Sequence, residues 1–250
     1  MKKLGIVVLC CILSSCAFVK VNGEGWGWGG KRIVGSGPVV EKVYSVDAFD
    51  AVSVSVPADI YYSYSEDAPS VKVVAYENLH SFITVNVKGS SLEIKTEKNV
   101  SLVSKEDIRI YVNSDKLRKV SLAGSGDFEN LSPVSGDSFE ISIAGSGDAE
   151  LKNFNVGTFS SSIAGSGDID IENVTANFFS SSIAGSGDLE AEDIDVEKIA
   201  ASIAGSGDIK LSGKATEGSF SVAGSGDIYI NNLAIDHYDM KTSGSGSIHK

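Results

Sequence analysis

The chain has 250 residues, 42% of them hydrophobic and 27 of them Gly against 4 Pro, so it can pack a core and make many turns without a Pro-rich stalk. Charge is unevenly placed: residues 16–120 carry 13 basic and 13 acidic side chains, and residues 121–250 carry 6 basic and 20 acidic, an imbalance of −14. An acidic second half argues against nucleic acid and anionic lipid surfaces as its partners, since both need basic patches.

Met1, Lys2 and Lys3 precede the apolar run Leu4 to Ile12, the order of a secretory signal too short to span a bilayer. Leu13-Ser14-Ser15-Cys16 then resembles a bacterial lipobox, which predicts a lipoprotein signal peptide over 1–15, a membrane anchor through acylated Cys16, and residence in the cell envelope at the outer membrane. The alternative is an ordinary signal peptide with incidental cysteines. Cys10 and Cys11 fall in the removed part, so the mature chain would keep Cys16 alone, with neither a disulfide nor a cysteine metal site. Residues 16–38 are Gly-rich around Trp26 and Trp28 and predict a flexible tether.

Over 39–120, runs such as Val52-Ser53-Val54-Ser55-Val56 and Asp107-Ile108-Arg109-Ile110-Tyr111-Val112 alternate apolar and polar residues, the period of half-buried strands. Helical periodicity is absent, although Glu77 to Ile83 could form one turn. Over 121–250 the chain repeats. Ala-Gly-Ser-Gly-Asp recurs at Ala123, Ala144, Ala164, Ala184, Ala204 and Ala223, with a decayed copy from Ser243, at intervals of 21, 20, 20, 20, 19 and 20 residues. Such a period marks a solenoid.

Three columns predict which solenoid. Leu122, Ile143, Ile163, Ile183, Ile203 and Val222 precede the motif; Phe128, Ala149, Ile169, Leu189, Ile209, Ile228 and Ile248 follow it; Leu151, Ile171, Ala191, Leu211 and Ile230 come two residues later with the same parity. The Leu and Asn spacing of a leucine-rich repeat is absent, and a propeller blade is twice as long. The expected fold is all-β, a right-handed parallel β-helix with coils of about 20 residues, with the strand-rich section 39–120 continuing or capping it. Six intervals at a coil spacing of about 4.8 Å make a rod section of about 29 Å. The two glycines of each motif suggest positive φ at a sharp corner.

An exported lipoprotein containing Phe49-Asp50-Ala51-Val52-Ser53-Val54-Ser55-Val56-Pro57-Ala58-Asp59-Ile60, then strand-rich sequence, then recurring Gly-Ser-Gly-Asp resembles the putative auto-transporter adhesin head GIN domain family over Phe49 to Ile248. The resemblance implies a bacterial envelope protein, often from the Bacteroidetes group, folded as a β-helix of short coils. It brings no catalytic residues.

The conspicuous polar feature is the column Asp127, Asp148, Asp168, Asp188, Asp208 and Asp227. Neighbouring carboxylates there would repel by about 0.9 kcal/mol at about 4.8 Å in bulk-water dielectric, so something must offset the repulsion. One expectation is that each Asp accepts hydrogen bonds from amides of its own turn. The other is a row of Ca²⁺ sites built from carboxylates and turn carbonyls. Ser160-Ser161-Ser162 and Ser180-Ser181-Ser182 stack in consecutive coils and suggest hydroxyl ladders. Nucleophilic serine chemistry would need a base, and His80, His237 and His249 are scattered.

Parallel β-helices also carry polysaccharide lyases and hydrolases, but fold does not establish activity. Arg32, Arg109 and Arg118 all precede the repeats, and the clearest irregularity, Asp193 to Ala201, reads as an exposed corner. The expected function is therefore an anchored, non-catalytic binding or scaffolding module without a cofactor, with a glycan or protein ligand. A polysaccharide-active enzyme is the alternative, recognised by a deep groove with paired carboxylates and a basic residue.

Overall fold

The computed structural model describes residues 31–250, so the predicted signal peptide, Cys16 and most of the tether lie outside the described residues. The repeat half is the expected parallel β-solenoid. β12 (Val134–Gly145), β14 (Phe154–Gly165), β15 (Ile169–Gly185), β16 (Leu189–Gly205), β17 (Ile209–Gly224) and β18 (Ile228–Gly244) pair in parallel, each with the next. The register follows the motif: Gly145 pairs with Gly165, Gly185 and Gly205 in turn.

One coil shows how alternation makes a closed shape. In β16, Leu189 and Ala191 are buried on a first face, Ile194 and Val196 on a second, and Ile199, Ala201 and Ile203 on a third. Within a face, side chains alternate in and out. Two consecutive exposed residues, Glu192-Asp193 and Glu197-Lys198, reset the parity at two corners, and Gly-Ser-Gly makes the third. Asp193 to Ala201 is thus a strand running between and past two corners, not a single exposed corner. The true irregularity lies beside it: the coil that is one residue short shifts register between Ala191 and Ile194 opposite Leu211 and Gly213, and Gly213 takes φ +121°.

All three predicted columns point inward, from Leu122 through Ile183 to Val222, from Phe128 to Ile228, and from Leu151 to Ile230. Ile248 alone is only partly buried. The third face adds an aromatic stack in which Phe159 and Phe179 lie parallel with centroids 5.2 Å apart, while Phe139 and Phe154 pack nearby. Burial of these rings and branched chains is what holds a solenoid together, since no coil has a core of its own.

The strand-rich section does both things expected of it. β3 (Ala51–Ser55) and β4 (Asp59–Tyr64) extend the solenoid in parallel from β10 (Lys119–Gly124) and β11 (Phe128–Asn130), and β7 (Ser91–Thr96) and β9 (Arg109–Ser114) extend it by one more layer. Antiparallel strands then close that end: β6 (Ile83–Lys88) on β7, β5 (Ser70–Tyr76) on β9, and β2 (Val39–Ser45) on β5. Antiparallel pairing ends the parallel stacking of the coils there. Residues Glu77–Phe82 make the short turn that Glu77 to Ile83 suggested, as a 3-10 helix. Within the stretch assigned to the tether, β1 (Lys31–Val34) is a strand pairing with β8 (Val100–Val103), with Ile33 packed against the core.

Candidate functional site: the acidic face and its corner

The corner decides what the Asp column does. The first glycine of each motif has positive φ, from +118° at Gly124 to +155° at Gly205, a conformation side chains other than Gly rarely take. The second glycine does not, and its reason is different: a Cβ on Gly187 would sit 1.9 Å from the Gly167 carbonyl oxygen of the preceding coil. Expecting positive φ at both positions was therefore half right; the second glycine is required by the closeness of stacked backbones.

That closeness also redirects the aspartates. Asp127 Oδ1 accepts the N–H of Asp148 at 2.9 Å, Asp148 that of Asp168 at 2.8 Å, Asp168 that of Asp188 at 2.7 Å, and Asp188 that of Asp208 at 2.7 Å. Asp208 continues to Asp227 at 2.8 Å, and Asp227 to Ser247 at 2.7 Å. The donors are amides of the next coil, not of the same turn as expected, because the exact stacking of corners puts each carboxylate over the amide 19 to 21 residues on. The ladder is directional, and each bond couples two coils with a charge-assisted acceptor.

Sequence spacing missed the head of this column. Asp59 precedes Asp127 by 68 residues, yet Ile60 pairs with Phe128, and the Ile60 N–H donates to the Asp127 carbonyl at 2.8 Å. Burial, reinforced by the Asp127 and Asp107 carboxylates, raises the Asp59 pKa, and Arg109, which faces Asp59 in register, opposes the shift. Arg109 precedes the repeats in sequence but lies beside their first carboxylates in space.

A second outward column runs alongside: Tyr111, Tyr61, Glu129, Glu150, Asp170, Glu190, Lys210, Tyr229 and His249 are successive register partners. The two columns border a shallow acidic trough. Its deeper parts are about 210 Å³ around Asp59, Tyr61, Asp127 and Glu150, and about 190 Å³ around Asp168, Glu190 and Lys210. Stacked rings close both ends, Tyr61 on Tyr111 at 5.1 Å and Tyr229 on His249 at 4.8 Å. Burial and the carboxylates of Glu190 and Asp168 raise the Asp170 pKa. Lys152 lies 2.7 Å from Glu129 and Lys210 lies 3.3 Å from Glu190, so part of the acidity is neutralised in place.

Among the described residues no group of three or more His, Cys, Asp or Glu side chains is arranged to hold a metal ion. The trough gathers carboxylates, with Arg109 facing Asp59 from the neighbouring strand, but at about 210 Å³ it is smaller than the roughly 300 Å³ at which ligand clefts usually begin. The serine expectation holds in part. Ser142 Oγ donates to Ser121 Oγ at 3.3 Å, and Ser180 Oγ to Ser160 Oγ at 3.0 Å, along the outside of the rod. Ser161 and Ser181 instead face inward, buried, with hydroxyls that have no partner.

Comparisons with known proteins agree with this architecture. A putative adhesin from Bacteroides fragilis NCTC 9343 superposes with a TM-score of 0.80 at 24% identity, over 87% of this chain and 99% of its own. A putative adhesin from Parabacteroides distasonis ATCC 8503 gives 0.74 at 23% identity over 88% and 99%. A protein from the same strain, named a putative lipid binding protein, gives 0.69 at 27% identity over 88% and 99%. No curated protein matches the chain. The family model described as putative auto-transporter adhesin, head GIN domain, matches residues 48–210 and again 162–249, and the chain belongs to that family.

Proposed function

We propose that this chain is an envelope-anchored lipoprotein that works as a non-catalytic adhesin-like or scaffolding module, held on the outer membrane through Cys16. The observation that carries the reading is the fate of the Asp column. Each of its carboxylates from Asp127 to Asp227 gives Oδ1 to a coil-to-coil bond, so the column serves the rod. What remains on the surface is a long, regular, acidic face suited to presentation. The adhesin family supports a place at the cell envelope or surface. The anchor rests on the lipobox-like Leu13 to Cys16.

Cys16→Ser tests the anchor. Wild-type chain should incorporate labelled palmitate and fractionate with membranes, whereas the variant should lose the label and accumulate as precursor or soluble protein. Unlabelled wild type, or label kept by the variant, defeats the proposal. For the binding role, glycan and protein arrays probed with the full chain should yield saturable binding, while turnover of acidic polysaccharides dependent on Asp59 or Asp127 would replace the module with an enzyme.

A further inference from the structure

The two ends of the rod differ. One is closed by antiparallel strands, but at the other, among the described residues, no strand pairs with the outer edge of β18 along its third face. Two inward columns, one buried at Phe179 and Ile199 and the other at Ala201 and Phe220, end there in Tyr238 and Met240, which are 40% and 36% exposed. Near Tyr238 the exception is the Lys250 ammonium, 3.9 Å from the ring centroid.

The same strand breaks the repeat on its outward side. In register across the third face, one outward column reads Ser160, Ser180, Ala200, Ser219 and then Asp239; the next reads Ser162, Ser182, Ser202, Ser221 and then Lys241. A run of small neutral residues thus ends in one acid and one base, on either side of Met240; farther back the first column holds Glu140 and Lys119, which pair with each other at 2.7 Å. The neighbouring ion pairs join Lys198 to Glu217 and Lys214 to Asp195, and leave Asp239 and Lys241 out.

We infer that this edge pairs with the same edge of a second copy, antiparallel about a two-fold axis at Met240. Edge-to-edge pairing about an axis perpendicular to the sheet requires one residue to face itself, since opposed side chains must lie on the same side. With Met240 on the axis, Asp239 of each copy faces Lys241 of the other, and Tyr238 faces Thr242 inside the joined core. With Asp239 or Lys241 on the axis, like charges meet. With Tyr238 there, the corner at Asp236 and His237 falls inside the pairing. Self-pairing centred on Met240 is the arrangement the charges complement. It satisfies unpaired backbone groups and covers exposed apolar surface, as strand addition does.

The pairing places the capped ends, and with them Lys31 at the start of β1, at opposite extremities of a double rod. On the anchoring reading above, on which this consequence rests, two such rods bridge two membranes, and the adhesive partner is another copy of the chain.

Charge reversal tests the interface, with the full chain in detergent micelles followed by sedimentation across a concentration series. Wild type should dimerise reversibly. Asp239→Lys alone and Lys241→Asp alone each place like charges opposite one another and should weaken association by at least about tenfold. An equimolar mixture of the two single variants should associate again as a mixed pair, and the double reversal should recover self-association. These recoveries rule out misfolding as the cause of the losses. A monomeric wild type, or association indifferent to the reversals, overturns the inference. Vesicles of phosphatidylcholine and phosphatidylglycerol carrying the full chain should cluster with wild type and with the double reversal. Failure to cluster while dimers persist in detergent overturns the bridging consequence and leaves the pairing standing.

Discussion

Asp168 sits mid-ladder: its N–H donates to Asp148 Oδ1 at 2.8 Å and its Oδ1 accepts from Asp188 at 2.7 Å. Asp168→Ala removes a hydrogen bond to a charged acceptor, worth about 1.5–3 kcal/mol. It also removes a like charge from two neighbours, relieving about 0.9 kcal/mol each at a coil spacing of about 4.8 Å in water. The net cost at low salt is therefore about 1 kcal/mol or less. Asp168→Asn keeps a neutral acceptor worth about 0.5–1.5 kcal/mol, so the loss and the relief nearly cancel and its stability should match wild type. Salt separates the two terms. At about 1 M the Debye length shrinks to about 3 Å, repulsion is screened in wild type, and the hydrogen bond remains. Relative to wild type, Asn should then cost about 1 kcal/mol and Ala about 2, or roughly 2–8 °C in Tm for a chain of this length. Thermal unfolding followed by circular dichroism at low and high NaCl reads this directly. A difference between Asp168→Asn and wild type that ignores salt, or an Asn variant as unstable as the Ala variant at low salt, would refute a ladder that balances bonding against repulsion.

Other perturbations probe the remaining parts. Gly187→Ala puts a Cβ 1.9 Å from a backbone oxygen that cannot move without shifting a coil, so it should cost more than 3 kcal/mol, whereas Ser186→Ala at the same corner should cost under about 1; equal Tm losses would contradict the stacking argument. Ile183→Asp, placed in a column only 2% exposed, should cost several kcal/mol in denaturant unfolding, and a loss no larger than that of Ser186→Ala would contradict the inward assignment. Calcium should leave Tm unchanged, because a bound ion at a hundred times its dissociation constant would add about 2.7 kcal/mol per site; a saturable rise abolished by chelator would assign the ladder to cation binding. Asp170 carries a raised pKa, caused first by burial and then by Glu190 and Asp168. A raised folded-state pKa in an acid means that its favourable contribution is present below the unfolded value of about 3.9 and lost as pH rises through the folded value. Asp170→Asn should accordingly raise Tm at pH 7 and leave it unchanged near pH 3, and a gain that persists in acid would show a cause other than ionisation.

Much of this was readable in the sequence because the period itself carries three-dimensional information. A 20-residue interval fixes which side chains stack, so Ile183 could be placed inward by counting, and counting back two from Ile163 and Ile183 also places Ser161 and Ser181 inside. Three things resisted. The Asp acceptor bonds reach the next coil, and nothing in Gly-Ser-Gly-Asp distinguishes an amide in the same turn from one twenty residues later, since both follow a glycine. The second glycine's role depends on a backbone that is distant in sequence and 1.9 Å from its would-be Cβ. Asp59 joins the acidic face across the stretch β5 to β9, which hides the period from any search for regular spacing, and Arg109 lies within that stretch.

The departures from the repeat are therefore more informative than the repeat. A position that obeys its column is explained by stacking, because the same residue type recurs wherever the same neighbours do. A position that breaks its column needs a neighbour the other coils lack. Gly213 breaks its column because a residue is missing from its coil, and the carboxylates stop at Asp59 where Arg109 stands in the next layer. Asp239 and Lys241 break two adjacent columns where, among the described residues, no further strand follows along that face, and the pairing inferred above gives each of them a charged neighbour in a second copy.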